Sequence, residues 1–274
     1  MSTSSALWAI PLVSLISGAS SPKIVTNTFN QPINHNSPIT NQDQSFESNY
    51  LLESKKNKYV IEFRSKSANE WTIMVNNQPT FLVKDLPKAL FATAKLSITM
   101  NAPDFDPNRL EAVAFNDEYI GKYKNEILFK ISKSEDVNPS LKLTQWINNL
   151  RVSAGVEPLT LVEAQKQMHR LAPTDEQIDG IASWYGPYFQ GRQTASGEQF
   201  EQQDFTAAHP SLPFDTYLKV TNQQNGKSVV VRINDRGPYF GNRNLDLSHA
   251  AAIALNSDEV GVVPITATIL VVNN

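Results

Sequence analysis

GIASWYG at Gly180–Gly186, GRQTASGE at Gly191–Glu198, TAAHPSLPF at Thr206–Phe214 and VRINDRGP at Val231–Pro238 follow one another in the last third of this 274-residue chain. Around them, β-branched or aromatic runs recur at Ile181–Tyr185, Tyr217–Thr221, Ser228–Ile233 and Ile265–Val272, each bounded by Gly, Pro or Asn. Short runs of that composition with punctuated ends read as strands. Asn225-Gly226 separates two of them, and an Asn-Gly pair readily takes the positive φ angles of a tight hairpin turn. One helix fits Ser248–Leu255, with Asp246 or Ser248 as its cap. Many short strands and a single helix in residues 180–274 predict a compact closed β-barrel.

Outward from the barrel, Ala172–Asp179 reads as a short polar linker. Leu141–Leu150 and Pro158–Leu171 carry apolar residues at helical spacing and form a helical connector over residues 138–179, the first helix ended by Gly155. Residues 50–137 read as a small α+β domain. Its strands are expected at Lys58–Arg64, Glu70–Val75, Pro79–Val83 and, after a turn at Gly121, Glu126–Ile131. Its helix is expected over Asp85–Met100, with Asp85 as cap and Pro87 in the first turn. No catalytic constellation falls there, so a docking or spacing role is its expected use. Residues 21–49 are rich in Asn, Gln, Ser, Thr and Pro and too poor in apolar side chains to bury a core, which reads as a polar tether. Leu7–Ile16 is apolar and is followed by the small residues Ser17–Ser20, the order of a secretory signal peptide over residues 1–20 and hence of an exported protein.

Composition excludes several function classes. The net charge is -3 and the pI about 5.8, with no polybasic stripe in either half, so nucleic-acid binding is not expected. The count of cysteines is 0, which removes disulfides, thiolate zinc sites and a cysteine nucleophile together. His35, His169, His209 and His249 stand in unrelated contexts without ligand spacing, so no metal is expected. No glycine-rich loop follows a strand and opens a helix, and no cofactor is implied. No apolar run is long enough for a stable transmembrane helix.

The chemistry the chain offers sits in the barrel region: Glu198, His209 and Asp235. Two carboxylates and an imidazole suit general acid–base cleavage of a glycosidic bond without a metal. Asp235 follows the apolar strand VVVRI, where partial burial would raise its pKa toward the acid role. Each residue also suits a plainer part, Asp235 or Glu198 as a turn residue and His209 as a structural hydrogen-bonding group, and on local sequence alone the plainer part is the favoured one for Glu198 and His209. Alternation on a strand sends one of Trp184 and Tyr185 to the core, and Tyr185 is assigned to the cleft. Tyr188, Phe189 and Tyr239 lie in loops bounded by Gly or Pro and suit the lining of a glycan groove.

Taken with LKVTN at Leu218–Asn222 and LDLSHAAA at Leu245–Ala252, these motifs closely resemble the rare lipoprotein A family of septal peptidoglycan lytic transglycosylases. The resemblance covers about the last third of the chain. It implies a mainly β fold, with a six-stranded double-psi β-barrel of the kind shared by expansins and barwin-like proteins. It further implies endolytic cleavage of the MurNAc–GlcNAc bonds of peptidoglycan strands, leaving 1,6-anhydro-MurNAc ends. The family's proposed catalytic groups match Asp235, Glu198 and His209, and Tyr185, Thr194, Asn234, Arg236 and Tyr239 are the candidate substrate contacts. Envelope or cell-division proteins are the candidate partners of residues 50–137. The lipidated cysteine of the family has no counterpart, so lipid anchoring is not expected, nor is the glycan-binding domain that follows the barrel in several members. The alternative is an expansin-like module that binds and loosens wall glycan without cutting it.

Overall fold

A computed structural model describes residues 57–273. The leader and tether expected over residues 1–49 lie outside the described residues. The chain first forms a meander of β1 (Ile61–Ser67), β2 (Glu70–Val75) and β3 (Gln78–Lys84). Asn76 and Asn77 make its second turn at φ 51° and 64°, a conformation that asparagine tolerates better than most side chains. Helix α1 (Leu86–Met100) starts where the Asp85 carboxylate accepts the Lys88 N–H at 2.9 Å and Pro87 presets the first turn.

A second meander follows, of β4 (Leu110–Phe115), β5 (Glu118–Tyr123) and β6 (Glu126–Ser132), and then α2 (Pro139–Ser153) and α3 (Leu161–Met168). Asn138 caps α2, and Thr160 with Glu163 forms a reciprocal capping box on α3. Phe81, Leu96, Met100, Leu110, Leu143, Ile147 and Met168 belong to one core, so α2 and α3 pack into the same interior as the two meanders.

The sequence reading missed β4 and β5 and expected a turn at Gly121. Gly121 instead lies in mid-strand, under the Phe129 ring: a Cβ there would approach the ring to 2.2 Å. Gly121→Ala must displace a ring packed against Phe81 and Trp146. Overpacking of that kind costs about 1–3 kcal/mol. A thermal melt is expected to show a midpoint lower by roughly 2–4 °C per kcal/mol; an unchanged midpoint would mean the ring has room to move.

The barrel comprises β7 (Leu171–Trp184), β8 (Thr206–Ala208), β9 (Tyr217–Asn222), β10 (Ser228–Asp235), β11 (Leu245–Leu247) and β12 (Val263–Val272). They close in the order β10-β8-β11-β7-β12-β9, with parallel pairs β10–β8 and β11–β7 among antiparallel ones. This is the six-stranded mainly β architecture expected from the motifs. Residues 172–179, read as a linker, are instead the first half of β7, where Ala172, Pro173 and Gln177–Asp179 pair with β12. Their polar side chains face solvent on a long strand, so composition resembled a loop. β8 and β11 span three residues each, too short to show alternation. Leu218, Val220, Val229, Val231, Ile233, Leu245 and Ile265 fill the interior. Helix α4 (His249–Ala254) is capped by Ser248, whose hydroxyl accepts from the Ala251 N–H.

Residues 57–273 lie in one compact unit, and specific polar contacts join its two larger cores. The buried Gln165 amide on α3 both donates to the Val230 carbonyl and accepts from its N–H, each at 2.8 Å. Lys133, beyond β6, pairs with Asp204 of the barrel at 3.2 Å.

His169 lies at the same junction, stacked at 5.0 Å on Tyr217. Burial, with the Arg232 charge adding to it, lowers its pKa from 6.5 to about 4. Between those values an unfolded chain binds a proton at this histidine that the native one refuses. The stabilisation is therefore complete above pH 6.5 and is lost as pH falls toward about 4, by about 3 kcal/mol. Urea melts across that range are expected to show the slope in wild type and a flatter one in His169→Gln. Equal slopes would remove His169 as the cause.

Candidate active site

The site is assembled by strand register at one end of the barrel. Asp235 ends β10 and pairs with Ala208 of β8, which pairs with Asp246 of β11, which pairs with Ser183 of β7. A register shift between Ile233 and Asp235 interrupts the β10–β8 ladder at this point. Bulges of this kind re-aim side chains next to sites.

Three donors hold the half-buried Asp235 carboxylate. Its Oδ1 accepts the backbone N–H groups of Ala195 and Arg236, each at 2.8 Å, and its Oδ2 accepts the Tyr185 hydroxyl at 3.0 Å. The Tyr185 ring packs against Phe189 and Phe200. Burial and the adjacent Asp235 charge push its phenol above the usual tyrosine range, so it stays a proton-bearing donor. Trp184, one residue earlier, turns to the core side and donates its indole N–H to the Asp258 carbonyl.

Glu198 sits on the other side of the Thr194–Glu198 turn. Arg232 grips it with two nitrogens, at 2.8 and 2.7 Å, and Asn234 Nδ2 donates to it at 3.1 Å. Arg232 also binds Asp215 at 2.8 Å. The bidentate guanidinium, with help from Asn234, holds the Glu198 pKa down at about 2 despite partial burial. Glu198 is thus a fixed carboxylate, hydrogen-bonded to β10 rather than to Asp235.

Thr194 and Asn234, expected as substrate contacts, are buried and committed to this turn. The Thr194 hydroxyl donates to the Glu198 carbonyl, and the Asn234 carbonyl accepts the Ser196 N–H. They hold the loop that delivers the Ala195 N–H to Asp235. Arg236 is similarly occupied: it donates to the carbonyls of His209 and Leu212 and stacks on Phe214 at 3.8 Å.

His209 follows β8, and its backbone N–H donates to the Asp235 carbonyl at 3.2 Å. Its ring Nδ1 accepts from the N–H groups of Ser211 and Leu212, at 3.1 and 2.9 Å. Those bonds assign the proton of the neutral ring to Nε2. Burial, with Arg236 nearby, lowers the imidazole pKa and favours that neutral form.

Aromatic side chains rim the end that carries Asp235. Tyr188, Tyr239 and Phe240 are 72%, 75% and 81% exposed, and the Arg192 guanidinium lies 3.6 Å from the Tyr188 ring centre. Exposed aromatic surface on this scale marks a ligand groove more often than chance exposure.

The sequence reading missed Asp246, offering it only as a helix cap. Its carboxylate is largely buried, accepts from the Ser183 hydroxyl and pairs with Arg243 at 3.1 Å. Gly237 adjoins it at φ 137°, and a Cβ there would lie 3.8 Å from Asp246 Oδ2. The sequence carries only the triplet Leu245-Asp246-Leu247, too short by itself to mark a strand; pairing with β7 and β8 is what puts Asp246 on the face opposite its two buried leucine neighbours.

Residues 177–267 match the family model described as lytic transglycolase. A relative named "Probable endolytic peptidoglycan transglycosylase RlpA", from Synechocystis sp., is 41% identical over 211 residues, which cover 72% of this chain and 64% of that protein. "Endolytic peptidoglycan transglycosylase RlpA" of Campylobacter jejuni is 51% identical over 90 residues, a match covering 33% of each chain. The chain thus spans between a third and about two thirds of the length of these relatives. Among solved structures, the apo expansin of Clavibacter michiganensis aligns with TM-score 0.30 and 24% identity, covering 36% of this chain and 52% of that one. The motif order, the closed six-stranded barrel and the family-model match agree: the barrel matches the lytic transglycolase domain family over residues 177–267, and the chain is similar to the RlpA relatives.

Proposed function

We propose that the protein cleaves MurNAc–GlcNAc bonds within peptidoglycan strands by internal transfer, leaving 1,6-anhydro-MurNAc ends. The observation that carries this reading is the Asp235 carboxyl, held from Ala195, Arg236 and Tyr185 at the rimmed end of the barrel. In the proposed reaction the Asp235 carboxyl gives its proton to the bridging oxygen as the bond to C1 breaks. The carboxylate then takes the proton of the 6-hydroxyl of the same MurNAc, whose oxygen closes on C1. The leaving sugar keeps the first proton, Asp235 regains one, and no water is consumed.

Tyr185 orients the carboxyl, and His209 presents Nε2–H toward the sugar or the departing oxygen. Glu198 is assigned to the turn that places the Ala195 N–H, and its fixed charge suits a site that passes through a positively charged sugar. The exposed Tyr188, Tyr239 and Phe240 are assigned to stacking on pyranose faces. On the same reading the enzyme works in the cell envelope, reached by export. The exposed Leu90, Phe91 and Ile98 of α1 offer a surface for an envelope partner.

Incubating the full chain with purified sacculi and analysing soluble products by mass spectrometry tests this. Anhydro-ended fragments are the expected result; reducing ends alone, or no release, would overturn it. One observation favours the expansin-like alternative: Glu198 is bound to Arg232 and supplies no second free carboxyl at Asp235. Wall binding without any new chain ends would select that alternative.

A further inference from the structure

A groove distinct from the Asp235 end runs along the junction between the meander-and-helix part and the barrel. Its cavity volume is about 1000 Å³. One wall is the β4–β5 hairpin and the turn after β6, with Asp117, Tyr119 and Ser134; the other is the barrel loop with Gln190, Gln199 and Glu201. Arg232, His169 and Tyr217 form the floor. Glu198 lines it as well, so the groove lies behind the same Thr194–Glu198 turn whose Ala195 N–H holds Asp235.

The lining limits what this groove can take. Its two cations are already paired: Lys133 with Asp204 at 3.2 Å and Arg232 with Glu198 at 2.7 Å. Among the described residues no unpaired cation lines it to receive a phosphate or carboxylate. Asp117 and Glu201 add negative charge along the walls, while Glu135 and Asp136 are paired with Lys84 and Lys142 at 3.3 and 2.7 Å. The remaining groups are hydroxyls, side-chain amides and tyrosine edges, which suit many weak hydrogen bonds to a polyhydroxylated chain. A volume at the upper end for small-ligand sites fits an extended ligand better than a single small metabolite.

We propose that this groove is an accessory saccharide-binding site, in which the part of the chain before the barrel supplies one wall and holds a stretch of N-acetylated glycan by its hydroxyl and acetamide groups. The proposal rests on the peptidoglycan reading for its choice of polymer. Occupancy would anchor the enzyme on a strand while the Asp235 end works on another stretch or another strand.

The test uses the full chain carrying Asp235→Asn, so that binding is separated from cleavage, and a β-1,4-linked N-acetylglucosamine hexamer as probe. Hydrogen exchange is expected to show sugar-dependent protection at 116–119, 133–136 and 199–201. Ser134→Trp and Gln199→Trp, exposed on opposite walls, are each expected to weaken hexamer binding about tenfold, the factor that corresponds to 1.4 kcal/mol. Melting curves report whether the two variants keep the fold, and the exchange map decides the matter if they do not. Protection confined to Tyr185–Phe189 and the Tyr239 loop, or no protection anywhere, would overturn the accessory site. Absence of anhydro products from the wild type would instead overturn the catalytic reading, whatever the hexamer does.

Discussion

Asp235→Asn is expected to lower the rate of anhydro-product release from sacculi by about 10²–10⁴-fold, the usual contribution of a positioned acid–base group. The substitution is close to isosteric. An asparagine Oδ1 can still accept from Ala195 and Arg236, and the Tyr185 hydroxyl can rotate to accept from Nδ2 where it formerly donated to Oδ2. The fold and the aromatic rim should therefore survive, and binding to sacculi with them. What disappears is the ability to give and recover a proton. A variant that binds, melts like the wild type and does not cut is the expected outcome. One that cuts within a few-fold of the wild type would remove Asp235 from the reaction.

Glu198→Gln is expected to reduce the rate by up to about 10²-fold, the scale on which a small misplacement of a catalytic group is felt. The path of the effect is mechanical. Without its charge the side chain loses the bidentate grip of Arg232, which keeps Asp215 as its remaining partner. The Thr194–Glu198 turn then loosens and the Ala195 N–H drifts from Asp235. The pH profile separates this from direct acid catalysis. With its pKa near 2, Glu198 is ionised throughout the working range and contributes no limb to the profile. Glu198→Gln should thus lower the whole curve without changing its shape. Loss of a limb would make Glu198 a proton donor after all.

The barrel was legible in the chain because its strands VVVRI and LKVTN and the Asn-Gly turn are local signals. The family motifs added the topology, which no local signal carries, since β8 and β11 are three residues each and owe their place to long-range pairing. Residues 172–179 were hidden for the opposite reason: a long strand with one solvated face looks like a linker when its partner β12 lies far along the chain. Gly121 misled because a glycine between strands usually marks a turn, whereas here it makes room for Phe129.

At the site, the presence of Asp235, Glu198 and His209 could be read, but their division could not. Only the hydrogen bonds show that Glu198 belongs to Arg232, that His209 spends Nδ1 on two backbone donors, and that Thr194 and Asn234 are buried. Asp246 escaped notice because its neighbours Ser183 and Arg243 meet it through strand pairing and a loop.

The most direct test of internal transfer is digestion of sacculi in water enriched in heavy oxygen, followed by mass spectrometry of the newly formed chain ends. The account requires that the new MurNAc ends contain no heavy oxygen, because the 6-hydroxyl rather than water attacks C1. Incorporation of one heavy oxygen per cleaved bond would show hydrolysis and contradict it.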